Sequence, residues 1–225
     1  MYNTNASPVI TDCTFSGNIV TGSGNTGGGM DNESSSSPTI ISCIFSGNKA
    51  AYINDGSGGG GGIWNDQSTP TLINCIFSGN IAGTSGTASY GGGMANVQSS
   101  AILINCTFSG NTTPGTGGGI HNVASSPSLT NCIIWGNSSG MDGGTPAVSY
   151  SLVQGWTGGG TGNLPDTLNP MFVNAPAYST APFTTGDYHL QAGSPVVNKG
   201  NNAALPASDT TDLAGNARIY DARSE

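Results

Sequence analysis

One short motif occurs five times along the chain, and this repeat constrains the fold more than any other feature. The motif "CTFSGN" or a close variant begins at Cys13, Cys43, Cys75, Cys106 and Cys132, at spacings of 30, 32, 31 and 26 residues. A second motif, three glycines followed by Met or Ile, a variable residue and Asn, begins at Gly27, Gly60, Gly91 and Gly117. Such a repeat predicts a solenoid, in which stacked repeats bury a core that no single repeat can bury alone.

The spacing of residues within each repeat indicates short β-strands. Cys13 and Phe15 are two positions apart, as are Met30 and Asn32, and a period of two is that of a strand and not of a helix. Glycine and asparagine, which suit turns, separate these short stretches. We therefore predict an all-β parallel β-helix of about five to six coils over residues 1–156. Residues 157–225 are predicted to form a C-terminal module that caps or packs on it.

Stacking in register would place equivalent side chains above one another. The predicted apolar columns are the five cysteines, the series Phe15, Phe45, Phe77, Phe108 and Ile134, and the series Ile10, Ile40, Leu72, Leu103 and Leu129. The predicted amide ladders are Asn18, Asn48, Asn80, Asn111 and Asn137, and Asn32, Asn65, Asn96 and Asn122. Neighbouring cysteines would point the same way, about 4.8 Å apart, and not towards each other as in a disulfide. We expect free buried thiols, with disulfides as the alternative.

The stretches "SPTIISCIFSGN" and "GGGGIWN" resemble the repeats of bacterial surface proteins of the chlamydial polymorphic membrane protein type. The mark of those repeats is a GG-apolar motif paired with F-x-x-N, which Phe15 to Asn18 and Gly28 to Met30 match. "YSLVQG", "NPMFVN", "GDYHLQAGSPVVNKGNN" and "DLAGNARI" resemble the end module of bacterial choice-of-anchor proteins. The resemblance implies a right-handed β-helix in an extracellular or cell-surface bacterial protein, whose leader and anchor we expect to lie outside this chain.

Charge and hydropathy exclude two classes of partner. The net charge is −8, and the cations are Lys49, Lys199, Arg218 and Arg223. Nucleic-acid binding requires clustered Lys and Arg, so we exclude it. No apolar run approaches the 18 residues or so that a membrane-spanning helix needs.

One outward row of side chains is the predicted ligand-binding face. In this face Asp31, Trp64 and His121 follow the inward Met or Ile, and Glu33 and Asp66 lie two residues further on. Glu33 and Asp66 would lie one coil apart, with carboxylates separated by about 5 Å, as in a retaining glycosidase. Trp64 would stack on a sugar ring. The variable loops add Tyr52 and Tyr90 to this candidate site, and the alternative is that all of these are solvated surface residues.

The same residues supply little for catalysis or metal binding. A polysaccharide lyase of this fold would need several acids for calcium and a basic Lys or Arg, but Lys49 is the only Lys or Arg in the first 198 residues. Asp31 with Glu33, or Asp209 with Asp212, could hold calcium, although their spacing is not that of a calcium loop. We therefore assign no catalytic residue, no metal site and no cofactor. If the chain is an enzyme, we expect a glycoside hydrolase or a polysaccharide lyase.

Residues between the inward columns suggest a second kind of surface. An almost uncharged face of Ile and Thr is predicted, and its isoleucines are Ile41, Ile44, Ile73, Ile76 and Ile104. An apolar face of this kind normally has a partner. The candidates are the C-terminal module of the same chain, a second copy, or a regular surface such as ice.

Taken together, these features predict a non-enzymatic structural or adhesive segment of a bacterial surface protein, with a glycan or a protein as its partner. The first alternative is glycan binding or polysaccharide cleavage on the face of Asp31, Trp64 and Asp66. The second is self-assembly or surface binding through the face of Ile and Thr.

Overall fold

In the computed structural model, which describes residues 1–21, 26–51, 59–83, 90–207 and 210–217, the chain up to Val153 winds into six stacked coils. The first coil contains β1 (Tyr2–Thr4), β2 (Val9–Thr11), β3 (Thr14–Ser16) and β4 (Ile19–Val20). The second contains β5 (Met30–Glu33), β6 (Thr39–Ile41), β7 (Ile44–Ser46) and β8 (Lys49–Ala50). The third contains β9 (Ile63–Asp66), β10 (Thr71–Ile73), β11 (Ile76–Ser78) and β12 (Ile81–Ala82).

The next three coils have three strands each. They are β13 (Met94–Val97), β14 (Ile102–Ile104) and β15 (Thr107–Ser109), then β16 (Ile120–Val123), β17 (Ser128–Thr130) and β18 (Ile133–Trp135), and last β19 (Met141–Gly143), β20 (Ala147–Ser149) and β21 (Leu152–Val153). Beyond them lie β22 (Phe172–Asn174), β23 (Asp187–Leu190) and two 3₁₀ helices, Tyr178–Thr180 and Asn202–Ala204.

The strands form three six-stranded parallel sheets that run the length of the solenoid. Sheet A is β1-β5-β9-β13-β16-β19, sheet B is β2-β6-β10-β14-β17-β20, and sheet C is β3-β7-β11-β15-β18-β21. A shorter sheet D joins β4, β8 and β12. Equivalent residues pair throughout, as in Phe45 with Phe77 and Phe77 with Phe108. The predicted parallel β-helix of five to six coils is confirmed, and the sixth coil comes from the shortened repeat "GMDGG".

The interior contains the predicted columns. Ile40, Leu72 and Leu103 are fully buried, and four of the five cysteines are buried. The four phenylalanine rings stack almost parallel, with centroid distances of 4.7, 4.8 and 4.3 Å. All five cysteines are free, as expected. Burial raises the pKa of the Cys43 thiol to about 11, so this thiol stays protonated and serves as a packing group.

Both asparagine ladders are present and run in one direction. Asn48 Nδ2 donates to Asn80 Oδ1 at 3.0 Å and to the Phe15 carbonyl of the preceding coil at 2.8 Å. The same pattern repeats at Asn80 and Asn111. The second ladder starts one coil earlier than predicted, because Asn3 Nδ2 donates to Asn32 Oδ1 at 2.8 Å. Amide side chains that would be costly to bury alone are thereby satisfied.

A buried serine ladder was not anticipated from the sequence. Its members are Ser36, Ser68, Ser99 and Ser125. The backbone N–H of Ser68 donates to Ser99 Oγ at 2.9 Å, and that of Ser99 donates to Ser125 Oγ at 2.9 Å. This ladder satisfies backbone N–H groups at the corner between sheets A and B, where no strand pairing is available.

The two sequence motifs of each repeat are in direct contact. A Cβ atom added to Gly62 would lie 2.9 Å from the Phe77 ring, and one added to Gly93 would lie 2.7 Å from the Phe108 ring. At the fourth triplet, Ile134 takes the place of the ring. The last glycine of each triplet is therefore required because the phenylalanine or isoleucine of the next motif along the chain packs against it.

The C-terminal segment packs against the side of the solenoid. Phe183 covers Gly79 and Gly110, at one edge of sheet C. At the other edge, Asn131 Nδ2 donates to the Asn201 carbonyl at 3.1 Å, and the Asn201 N–H donates to Asn131 Oδ1 at 2.7 Å. The start of the segment closes the last coil, where Leu164 N–H donates to the Ser151 carbonyl at 2.9 Å. The domain boundary after residue 156 stays a prediction.

Substitution of Gly93 by Ala tests the contact between the motifs. The added methyl would lie 2.7 Å from the Phe108 ring and 2.6 Å from the Gly119 carbonyl oxygen, so we expect the free energy of unfolding to fall by about 1–3 kcal/mol. Gly159→Ala is the control, because nothing lies within 4 Å of its Cβ position. Urea unfolding followed by circular dichroism would measure both variants, and equal stability of the two would contradict the assignment.

Candidate functional site

The predicted ligand-binding residues do share one face, the outer side of sheet A. The strand register pairs Tyr2 with Asp31, Asp31 with Trp64, Trp64 with Ala95, and Ala95 with His121. These residues alternate with the inward Met30, Ile63, Met94 and Ile120, all of which belong to the core. The direction of each side chain was therefore predictable from period two.

The exposure of this row differs from the expectation for an outward face. Trp64 is 1% exposed and Asp31 is 6% exposed, although neither belongs to the central core. Glu33, Asp66 and His121 are half-buried. Other groups already cover the indole of Trp64 in this structure, so its face is not open to a sugar, and its role in glycan binding stays a prediction.

Tyr90 is one of the groups that cover the row. Its ring centroid lies 5.7 Å from that of Trp64 and 5.0 Å from that of His121. In the row, the side chain between Trp64 and His121 is the small one of Ala95. The three rings form an aromatic cluster outside the sheet. Tyr52, the other predicted loop residue, lies outside the described residues.

Three carboxyl groups at the start of the row affect one another. Burial, followed by the neighbouring Glu33 carboxylate, raises the pKa of Asp31 to about 7, against the opposing effect of a hydrogen bond from Gly27. Burial, followed by Glu33, also raises the pKa of Asp66. Tyr2 Oη donates to Glu33 Oε2 at 2.9 Å. A carboxyl group of this kind is protonated in part near neutral pH and can act as a general acid.

Three polar atoms of this row are buried without a hydrogen bond. They are Asp31 Oδ1, Trp64 Nε1 and His121 Nδ1. His121 Nδ1 is 3.4 Å from Asp142 Oδ2, close enough for electrostatic attraction but without hydrogen-bond geometry. Burial lowers the pKa of His121, although Asp142 acts in the opposite sense. Unpaired buried polar groups are rare in folded proteins and often mark a binding site.

Asp142 is a member of the row that the sequence reading missed. The sixth coil places it beside His121, and its Oδ2 accepts a hydrogen bond from Thr116 Oγ1 at 2.6 Å. The stretch "GMDGG" at Gly140 parallels "GGGMDN" at Gly27, and this similarity was the available indication.

The predicted association residues do not form one flat face. Ile41, Ile73 and Ile104 lie on sheet B, whereas Ile44 and Ile76 lie on sheet C. A residue with positive φ turns the chain between the two sheets in each coil, and these residues are Asp12, Ser42, Asn74, Asn105, Asn131 and Tyr150. The expectation of a single plane is therefore wrong. Ile44 and Ile76 also face the C-terminal segment, one of the partners considered above.

Metal and membrane features receive no support from the described part of the chain. Within it, no three His, Cys, Asp or Glu side chains come together as a metal-binding group. Asp209, one of the calcium candidates, lies outside the described residues. No helix among the described residues has the length and apolar character needed to span a bilayer.

Comparison with known proteins identifies the fold family. The family model described as "Right handed beta helix region" matches residues 2–155. The chain belongs to this right-handed β-helix family. A search of curated proteins found no match.

Two solved structures show a distant likeness to the chain. Both are trypsin-treated variants of QnrB1, a plasmid-mediated fluoroquinolone resistance protein. The first is 12% identical and covers 72% of each chain with a TM-score of 0.20. The second is 12% identical and covers 66% of this chain and 83% of that chain with a TM-score of 0.12. Likenesses this weak carry no argument about function.

The pH dependence of stability tests the environment of Asp31. Its pKa rises from 3.8 to about 7 on folding, so the folded chain binds more protons than the unfolded chain between about pH 4 and pH 7. The contribution of Asp31 to the free energy of unfolding must therefore fall as the pH rises through that range. We expect Asp31→Asn to lose less stability than the parent chain between about pH 5 and pH 8.

Urea unfolding of both chains at the two pH values would measure this difference. Glu33 and Asp66 are retained in both chains, so the difference between them reports Asp31 together with its coupling to those two carboxylates. Asp12→Asn, at an exposed carboxyl of the first coil, serves as the control and should behave as the parent does. An identical pH dependence in the parent and in Asp31→Asn would contradict the buried state of this carboxyl.

Proposed function

We propose that the chain is a non-enzymatic structural and adhesive segment of a bacterial cell-surface or secreted protein. The observation that carries this proposal is the use of polar side chains inside the solenoid. Two asparagine ladders and one serine ladder are buried along the column, where they fix its shape and are unavailable for chemistry. A column of six coils about 4.8 Å apart is a rigid spacer.

The scarcity of basic residues supports a non-enzymatic role. Lys49 and Lys199 are the only Lys or Arg residues within the described ranges. They lie in different parts of the molecule, Lys49 in the second coil and Lys199 in the C-terminal segment. A lyase would need such a group beside its substrate. The resemblance of the repeats to surface-protein repeats supports the proposed location.

Cell fractionation and adhesion assays would test this proposal. We expect the protein to be in the surface or secreted fraction of the cells that produce it. The purified chain should bind saturably to cell-wall or host-surface preparations, and the heat-unfolded chain is the matched control for binding. Recovery of the protein in the cytosol, or catalytic release of sugars from a polysaccharide panel, would overturn it.

Glycan binding on the outer face of sheet A is the second candidate function. The favouring observation is that one face holds the carboxyl groups of Asp31, Glu33 and Asp66 together with unpaired buried polar atoms, and that the ring of Tyr90 packs on this face. For this function the half-buried Tyr90, Asp66 and His121 contact the sugar. The buried Trp64 packs beneath Tyr90 and does not contact the sugar itself. Cleavage on this face would need one carboxylic acid to protonate the departing glycosidic oxygen while a second carboxyl group attacks the anomeric carbon, or activates a water that does so, as the C–O bond breaks.

A glycan array with matched variants would test the second candidate. We expect Tyr90→Ala and Asp66→Asn to weaken binding roughly tenfold each, since a stacked ring and a charged hydrogen bond each contribute about 1–2 kcal/mol. Tyr178→Ala is the control because Tyr178 is 43% exposed on the C-terminal segment. An equal loss in the control, or an array without any bound glycan, would remove this candidate.

Self-association, the third candidate, is restricted by the position of the C-terminal segment. Sheet B retains an outward row in which Val9, 70% exposed, and Ile102, 41% exposed, are separated by Thr39 and Thr71. Lateral association or surface binding, including binding to ice, would use this row and not the isoleucines of sheet C.

A further inference from the structure

The C-terminal segment crosses the outer face of sheet C as a bridge attached at both edges. At one edge Phe183 packs over Gly79 and Gly110. At the other edge Asn131 exchanges two hydrogen bonds with Asn201, and Asn74 Nδ2 donates to the Thr211 carbonyl at 3.3 Å. Between the two attachments the segment and the sheet are not in continuous contact, and a cleft of about 720 Å³ lies between them.

The floor of this cleft is one regular row of sheet C. Ile44, Ile76, Thr107 and Ile133 line it, and the strand register places them on four consecutive strands. With strands about 4.8 Å apart, the row extends over roughly 14 Å. The floor is therefore long, narrow and mostly aliphatic.

The roof of the cleft adds aromatic surface and several polar side chains, among them the hydroxyl of Tyr188. Phe172 and Tyr188 lie on the antiparallel pair β22 and β23, with ring centroids 5.5 Å apart and nearly perpendicular planes. Leu190 and Leu213 complete the apolar lining. The Tyr188 hydroxyl is buried without a hydrogen bond of good geometry, although interaction with Ser78 lowers its pKa against the larger raising effect of burial.

The charges around the cleft restrict the ligands that it can accept. Asp187 and Asp212 line it, and no Lys or Arg is among the described residues of the lining. Both carboxylates accept hydrogen bonds from their own segment: Asp187 from the His189 N–H at 3.0 Å, and Asp212 from the Ala214 N–H at 2.9 Å. The His189 imidazole, which also lines the cleft, already pairs with the Asp187 carboxylate, so the described lining offers an anionic ligand no unpaired cationic partner.

We propose that this cleft binds an elongated, uncharged, predominantly apolar molecule with one hydrogen-bonding group. Its volume lies in the usual range for small-molecule sites, and its lining combines an aliphatic floor and two aromatic rings with polar side chains at the margin. The apolar chain of the ligand lies along the isoleucine row, and its polar group hydrogen-bonds the Tyr188 hydroxyl. This site is on sheet C and shares no residue with the row on sheet A, so it is independent of the functions proposed above.

Titration with the uncharged fluorescent dye N-phenyl-1-naphthylamine tests the site. We expect saturable binding at one dye per chain. Ile76→Trp and Thr107→Phe narrow the cleft from two different strands, and each should weaken binding at least roughly tenfold, equivalent to about 1.4 kcal/mol. Ile102→Trp is the matched control because it adds a similar ring at a position that is 41% exposed on sheet B, and it should bind as the parent does.

Hydrogen exchange of the parent chain, with and without the dye, gives a second measurement that needs no variant. Slower exchange of the amides of residues 184–190 on dye binding supports the proposal. The absence of saturable binding, slower exchange only outside the lining, or unchanged affinity in both narrowed variants would each overturn it. The anionic dye 8-anilinonaphthalene-1-sulfonate should bind more weakly than the uncharged dye, and tighter binding of the anion would contradict the assigned ligand class.

Discussion

Everything else in this molecule depends on each coil lying in register on the next, and the amide ladder holds that register. Each ladder asparagine links its own turn to the coil above and to the coil below, as Asn80 does through Asn111 Oδ1 and the Phe45 carbonyl. A shift by one residue would break these bonds and would also send the inward side chains outward. The ladder therefore fixes where the phenylalanine rings stack. Because the register also places a side chain of the next motif against the last glycine of each triplet, that glycine must lack a side chain.

The same register creates the candidate site on sheet A. Because equivalent positions align, the one variable residue after each glycine motif joins a row with its counterparts in the other coils. Asp31, Trp64 and His121 come together in this way although about 30 residues separate successive members of the row. A second layer, in which Tyr90 takes part, then removes water from the row. At the start of the row, burial of the carboxyl is the largest cause of the raised pKa of Asp31.

The C-terminal segment determines which part of the aliphatic surface is available to a partner. Ile44 and Ile76 look like an interaction face when the solenoid is considered alone, but they face a segment of the same chain. The segment follows the side of the column, where the glycine corners leave room for Phe183. The segment contacts the sheet at both edges but not across its centre. A cleft therefore lies between the two in place of a continuous packed interface. Sheets A, B and C thus present three different surfaces: a covered polar row, an exposed row and a bridged cleft.

The parallel β-helix, the apolar columns, both asparagine ladders and the direction of almost every strand side chain were predictable from the amino-acid sequence, because these follow from a repeat and a period of two. The sixth coil could have been assigned from the similarity of "GMDGG" to the glycine motif of the earlier repeats. Only the folded structure shows that Trp64 and Asp31 are buried and that His121 lies beside Asp142. It also shows that the predicted isoleucines are divided between two sheets. Periodicity states which way a side chain points, but what lies above it depends on loops and on a C-terminal segment that do not repeat.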